Sequence, residues 1–310
     1  MDIREKASEI NTILKNYLPD DTKEFGDITE AMSYSVLAGG KRLRAIMLIE
    51  SFRLFNEDAE MEKLLAYPFA AALEFIHAYS LVHDDLPSMD NDMFRRGIPT
   101  THAKYGHAMG VLAGDALLNY AFETVSSAMS GLSSLRGEFV PELYSRCAKA
   151  MKIMSVNSGY SGMVGGQVLD VCSPLSDNTM DKSVLKVKLL KLYELKTSKL
   201  FRSALCCGAV LAGASDEDIK KLDSLGYNIG LAFQVKDDIL DQTATLEQLG
   251  KDINSDKRNN KTTICSLIGI EASEKFIDEK LNNASAIIET LSGNTAFFKE
   301  LIDFLRIREK

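Results

Sequence analysis

Two clusters of aspartate sit at the ends of long apolar helical runs, and they constrain this chain more than any other feature. The first is Asp84-Asp85-Leu86-Pro87-Ser88-Met89-Asp90, followed closely by Arg95-Arg96. The second is Asp237-Asp238-Ile239-Leu240-Asp241. The residues ahead of each are core-like: Phe75, Ile76 and Tyr79 before one, Leu231, Ala232 and Phe233 before the other. A carboxylate carried into such surroundings needs a partner, because an unpaired buried charge is too costly to keep. Hard oxygen ligands on facing helices suit Mg²⁺, and Mg²⁺ suits phosphate. With arginines nearby and an apolar surround, the pattern predicts a site for a diphosphate with a hydrocarbon tail.

Helical geometry sharpens this. At about 100° per residue, Asp237 and Asp241 lie roughly 40° apart on one face, with Asp238 beside them. His77, Ser80 and Asp84 share a face in the same way. Pro87 disrupts a continuing helix, so Asp90 is expected to return from an irregular last turn. Acids at a helix C-terminus oppose the macrodipole by up to ~1 kcal/mol each, an objection that a bound cation removes. Gly39-Gly40-Lys41-Arg42-Leu43-Arg44 reads as a flexible turn that feeds clustered cations into a helix, which suits one phosphate. It is not a Walker A loop.

Helical periodicity dominates the chain, and alternating strand-like runs are hard to find. Helices are predicted at about 2–17, 29–38, 42–55, 61–86, 108–130, 137–157, 160–170, 180–212, 216–241, 261–268, 271–292 and 295–308. Loop signals fall at 19–27, 95–106, 171–177 and 242–260. No linker separates the two aspartate clusters. The expected fold is all-α, one domain over residues 1–310.

Composition narrows the function classes. The chain of 310 residues is 45% hydrophobic and 26% charged, ample for a large core. A net charge of −8 argues against a nucleic-acid partner. Five cysteines without a C-x-x-C pair read as reduced thiols rather than disulfides or a zinc site. The charged N-terminus has no signal-peptide h-region, and no uninterrupted apolar run reaches membrane-spanning length. A soluble, cytoplasmic protein without stable membrane insertion is expected.

Taken together, the segments resemble the trans-prenyltransferases, or isoprenyl diphosphate synthases. The resemblance rests on GGKRLR at 39–44, FIHAYSLVHDDLPSMDNDMFRRG at 75–97, GGQVLD at 165–170, LKTSKLF at 195–201, FQVKDDILD at 233–241, GKD at 250–252 and NNKTT at 259–263. The four residues between Asp85 and Asp90 give a DDxxxxD motif, which resembles that of bacterial farnesyl diphosphate synthases and plant-type geranylgeranyl synthases. Ala45, Met93 and Ile264 depart from the family's usual residues, and none is a ligand position.

The resemblance implies a single bundle of long, mostly antiparallel helices around a deep central cavity, usually homodimeric. It implies Mg²⁺, three ions per site with Mn²⁺ an alternative, held by Asp84, Asp85 and Asp90 and by Asp237, Asp238 and Asp241. Arg95, Lys196 and Lys251 would contact the allylic diphosphate. Lys41, Arg44, His77 and Arg96 would hold isopentenyl diphosphate. Carbonyls around Lys196 and Thr197, with the Gln234 side chain, would face the developing allylic cation. Gln167 and Lys261 would complete the lining. Tyr79, five residues or about 7–8 Å before Asp84, would floor the pocket beside the small Ser80. The implied product is farnesyl diphosphate, with geranylgeranyl diphosphate the alternative. A non-catalytic diphosphate-binding subunit would be expected to lose one aspartate motif, and both are intact. A metal phosphohydrolase built on His83-Asp84 would need further metal-binding histidines.

Overall fold

A helix with apolar residues around its whole circumference must be enclosed on all sides. Tyr67–Asp84 is one, with Phe69, Leu73, Phe75 and Ile76 fully buried; Lys199–Ala212 is another, with Phe201, Leu205 and Leu211. The computed structural model describes residues 3–20, 25–172, 180–243 and 262–308. Its helices in chain order are α1 (Ile3–Tyr17), α2 (Gly26–Leu37), α3 (Leu43–Arg53), α4 (Ala59–Met61), α5 (Tyr67–Asp84), α6 (Thr101–Tyr105), α7 (His107–Gly131), α8 (Val140–Ser158), α9 (Met163–Cys172), α10 (Lys182–Tyr193), α11 (Lys199–Ala212), α12 (Asp216–Thr243), α13 (Ile264–Ile268), α14 (Ile270–Glu289) and α15 (Ala296–Ile307). α7 packs along α5, while α3, α8 and α12 surround α11, and α14 covers α12. The fold is all-α, as expected.

Three features differ from the sequence expectation. The helix expected from about residue 61 begins with α4, capped by Asp58, whose carboxylate accepts the Glu60 and Met61 N–H groups at 2.9 and 3.2 Å. It then widens into a π turn, Glu62–Ala66, just ahead of Pro68. Proline has no N–H to give to the preceding turn and crowds its carbonyl, so the helix loosens there. The helix expected at 180–212 is likewise split by a π turn, Glu194–Ser198, into α10 and α11. The segment read as a loop at 95–106 holds a hairpin, β1 (Phe94–Arg95) and β2 (Ile98–Pro99), and then α6. Residues 59–84 together are long and apolar enough to cross a membrane by length and composition alone, and most of that stretch is buried inside the bundle. The long loop expected at 242–260 lies almost wholly outside the described residues, with α12 running to Thr243.

One buried ion pair sets the basic turn against the core. Arg42 has φ 53°, a left-handed backbone that ends the Gly39-Gly40 turn and starts α3. Its guanidinium reaches Glu74 of α5 at 3.2 Å, Asn11 of α1 at 2.9 Å and the Val36 carbonyl of α2 at 2.5 Å. Glu74 also accepts the Ala45 N–H at 3.3 Å. Four helices therefore meet at one charge. Glu74→Ala leaves the guanidinium buried without its counter-charge and is expected to cost about 3–5 kcal/mol of stability. Urea denaturation reads this, and a loss below about 1 kcal/mol, as for an exposed pair, would contradict it.

Candidate active site

The aspartate ends of α5 and α12, the 39–44 turn, α9 and the π turn Glu194–Ser198 surround a cavity of about 980 Å³. Lys41, Arg44, His77, Tyr79, Ser80, Asp84, Arg95, Arg96, Gln167, Lys196, Thr197, Gln234, Asp237, Asp238 and Asp241 all line it. Asp85 and Asp90 are not part of this lining, and Lys251 and Lys261 lie outside the described residues. Tyr79, Met163, Leu200 and Phe233 supply apolar wall.

The polar groups are segregated. On the acidic side, α5 ends at Asp84 and the chain doubles back, so that the Asp90 N–H donates to the Asp84 carbonyl at 2.9 Å. This is the irregular turn expected from Pro87. Burial pushes the Asp84 carboxyl above its usual range; Lys196 opposes this, and Asp90 and Asp170 add to it. Lys196 Nζ stands 2.6 Å from Asp170 and 3.7 Å from Asp84. From α12, Asp237 accepts from Arg308 at 2.5 Å, and that guanidinium lies 4.1 Å from the centre of the Phe233 ring. Asp241 is buried, and its Oδ1 has no hydrogen-bond partner among the described residues.

On the basic side, His77 is buried beneath Arg44, with Nη1 to Nε2 at 3.3 Å. Arginine can only donate, so Nε2 accepts and the ring proton sits on Nδ1. Burial, and then Arg44, Arg96, Arg42 and Arg95, hold the imidazole well below its ordinary range, so it is neutral at pH 7. Burial and the nearby Arg42 lower Arg96 to about 10. Arg44 Nε is buried with no partner among the described residues. Burial lowers both Arg44 and Arg96, with Glu74 only partly opposing it, and a bound anion would relieve that cost.

Two expected ligands are turned to other partners. Asp85 receives the Arg95 fork, Nε to Oδ1 at 2.8 Å and Nη2 to Oδ1 at 2.6 Å. Asp238 accepts from the Tyr193 hydroxyl at 2.6 Å and from Gln234 Nε2 at 3.3 Å. Arg96 sits on strained backbone: it and Gly97 have φ 55° and 78° at the tip of the hairpin, and Arg96 donates to the Gly39 carbonyl. Both central residues at positive φ make a type I′ turn, which costs a non-glycine residue about 1 kcal/mol or more.

The π turn is held open by close approach. A Cβ at Gly166 of α9 would lie 2.4 Å from the Lys196 nitrogen, and one at Gly230 of α12 would lie 2.4 Å from Ser198 Cα. Only glycine lets both helices press on the turn that presents Lys196 and Thr197. Sequence reasoning missed Asp170 and Arg308. The first stood within the quoted GGQVLD run; the second is brought in by α15 from the far end of the chain. His83 faces α7, donating from Nε2 to the Val111 carbonyl at 3.0 Å over Gly114.

The residues fit a divalent cation bound jointly with a phosphate. Among the described residues, no three His, Cys, Asp or Glu side chains converge on one point. Asp84 and the pair Asp237 and Asp241 come from different helices instead. These carboxylates would hold Mg²⁺, with the remaining ligands coming from phosphate and water. Asp84→Asn removes a charge that burial disfavours, so the metal-free variant is expected to melt above the wild type at pH 7. Because the folded-state pKa is raised, that difference should shrink as the pH falls and Asp84 takes up its proton. Calorimetry in EDTA checks both, and a lower-melting variant would contradict the assignment.

A basic pocket and an acidic pocket at the mouth of one apolar cavity define an enzyme site for diphosphate esters with hydrocarbon tails. The chain belongs to the polyprenyl synthetase family, whose profile matches residues 26–295. It is 36% identical over 299 residues to the farnesyl diphosphate synthase of Micrococcus luteus, spanning 96% of this chain and 94% of that one. It is 41% identical over 277 residues to a chloroplastic geranylgeranyl pyrophosphate synthase of Catharanthus roseus, spanning 89% of this chain and 71% of the relative. The fold matches the geranyltransferase of Helicobacter pylori, solved with magnesium and isoprenyl diphosphate. The TM-score is 0.79 at 30% identity, over 98% of this chain and 94% of that one.

Proposed function

We propose that this protein is a metal-dependent trans-prenyltransferase that condenses isopentenyl diphosphate with dimethylallyl and then geranyl diphosphate, releasing diphosphate and farnesyl diphosphate. The observation that carries the reading is the charge segregation across one cavity. Two diphosphates can enter by different chemistry, one directly on arginine and one through cations. The proposal takes residues 1–310 as one synthase domain of a cytoplasmic homodimer, using three Mg²⁺, with Mn²⁺ as a substitute. Exposed apolar side chains on α7, Val111 and Leu112, support a protein contact there.

In this reading Lys41, Arg44, Arg96 and neutral His77 seat the isopentenyl diphosphate. Arg95, oriented by Asp85, and Lys196, oriented by Asp170, seat the allylic diphosphate together with Lys251, while Lys261 completes the pocket lining; both lysines lie outside the described residues. Asp84, Asp90, Asp237 and Asp241 would hold Mg²⁺, which supplies charge neutralisation to the leaving diphosphate. Asp85 and Asp238 keep these groups in place through the hydrogen bonds described above. The carbon–oxygen bond breaks, and the allylic carbon becomes cationic. Carbonyl oxygens of the π turn and the Gln234 side chain face that charge, an electrostatic stabilisation built before the reaction starts. The isopentenyl double bond attacks the cation, and the departing diphosphate takes the proton that is lost. Gln167 closes the wall.

Turnover should depend steeply on the acidic side. Asp84→Asn and Asp237→Asn are each expected to lose ~10²–10³-fold in kcat with the helical fold retained. Near wild-type kcat in both would refute the metal assignment.

Product length rests on Tyr79, which lies 5% exposed on the cavity wall one and a half turns before Asp84. Its ring packs edge-on to His83 at 5.8 Å, which leaves it little freedom to swing aside. Burial, with Asp84 adding to it, pushes its hydroxyl up to about 12, so it stays neutral. Tyr79→Ala is expected to shift product from fifteen carbons toward twenty or more, while Ser80 is too small to replace the ring as a floor. Chromatographic sizing of product made from dimethylallyl diphosphate decides this, and an unchanged farnesyl product with activity retained would place the floor elsewhere. The same assay on the wild type tests the second reading, a geranylgeranyl product, which the 41% identical plant relative favours.

A further inference from the structure

Tyr193 is the last residue of α10, directly ahead of the π turn, and stands outside the cavity lining. It is 4% exposed. Its hydroxyl donates to Asp238 Oδ2 at 2.6 Å and accepts the Ile264 N–H at 3.1 Å. Four residues further on, Thr197 Oγ1 donates to Gln234 Oε1 at 2.6 Å, and Gln234 Nε2 donates to Asp238 Oδ1 at 3.3 Å. Two pairs with the same four-residue spacing therefore face each other, Tyr193 and Thr197 on one side, Gln234 and Asp238 on α12. The spacing of one helical turn puts each pair on one face.

Both oxygens of a buried carboxylate are engaged here, so its orientation is fixed. Asp237 and Asp241 ride the same turns of α12. The carbonyls offered by Lys196 and Thr197 ride the π turn. The rungs between them set the register of one against the other. The Ile264 N–H opens α13, where a first-turn donor has no acceptor within its own helix. Tyr193 supplies that acceptor, while Thr263 caps the Ser266 N–H at 3.1 Å.

We propose that Tyr193 is a positioning residue for prenyl transfer. Its hydroxyl fixes Asp238, and with it the register of α12 against the π turn, and ties the start of α13 to the same point. The proposal rests on the prenyltransfer reading of the cavity. Tyr193 touches neither substrate nor cation in this scheme. Its effect falls on the geometry of ionisation, where displacement by about 1 Å can cost 10²-fold in rate. Isopentenyl diphosphate is seated on the basic side and is not held by these rungs.

Tyr193→Phe keeps the ring and deletes both hydroxyl bonds. Two measurements on the full chain test the proposal. In metal-free, substrate-free protein, hydrogen exchange of a peptide spanning Ile264 should quicken at least tenfold, while peptides from α3 stay as in the wild type. In steady-state assays with geranyl and isopentenyl diphosphates and Mg²⁺, kcat should fall about 10- to 100-fold, with the KM for isopentenyl diphosphate within twofold. Faster exchange with unchanged kcat would make Tyr193 merely structural and overturn the proposal, as would unchanged exchange. Wild-type protein that makes no prenyl product at all would instead refute the prenyltransfer reading, while the exchange result still reports on the hydroxyl. If Tyr193→Phe does not fold, Thr197→Val cuts the other rung and leaves the tyrosine in place. It must show the same split between kcat and KM, and wild-type turnover in that variant would overturn the ladder.

Discussion

Carboxylates crowd the mouth of this bundle, and one ammonium allows them to. Lys196 stands between Asp170 of α9 and Asp84 of α5, at 2.6 and 3.7 Å, and is itself delivered by the π turn between α10 and α11. Without a cation at that point, the ends of α5 and α9 would repel in surroundings that screen charge poorly. With it, burial still raises the Asp84 pKa. The opposite side has the reverse imbalance, with Arg96 and His77 both pushed down by burial and neighbouring arginines. The polar lining thus gathers carboxylates on one side and guanidinium groups on the other, and the fold keeps them apart.

Keeping them apart takes local strain. Arg42 and Arg96 both have positive φ, and each delivers its guanidinium to a place an ordinary turn would not reach. The π turns are the helical counterpart, each adding a residue where a regular helix would have turned a side chain or carbonyl elsewhere. Strain of this kind persists only where packing over-determines it. Here the packing is visible: Glu74 holds Arg42, the Gly39 carbonyl holds Arg96, and Gly166 and Gly230 press on the second π turn.

Much of this was legible in the sequence because it is local. The helical periodicity, the paired faces of Asp237 and Asp241, and the turn-back at Pro87 follow from spacing within a few residues. The spacing placed Asp84 and Asp237 on the cavity but could not show that Asp85 and Asp238, one residue along, are engaged by Arg95 and Tyr193. That depends on where Arg95 and Tyr193 stand, which only packing decides. The same holds for Asp170 and Arg308, whose partners lie 26 and 71 residues away in the chain. The hairpin tip at Arg96-Gly97 read as a loop because an arginine at positive φ carries no pattern in sequence. The break in the helix expected at 180–212 was hidden for the same reason, since its cause is the close approach of Gly166 and Gly230 from other helices.

The central claim is that one cavity takes two diphosphates by two routes, basic side chains without metal on one side and divalent cation on the other. Titration calorimetry with inorganic diphosphate tests it most directly. In EDTA the protein should bind one equivalent, on the basic side, and with Mg²⁺ present a second equivalent should appear. An unchanged stoichiometry with and without Mg²⁺ would contradict the account.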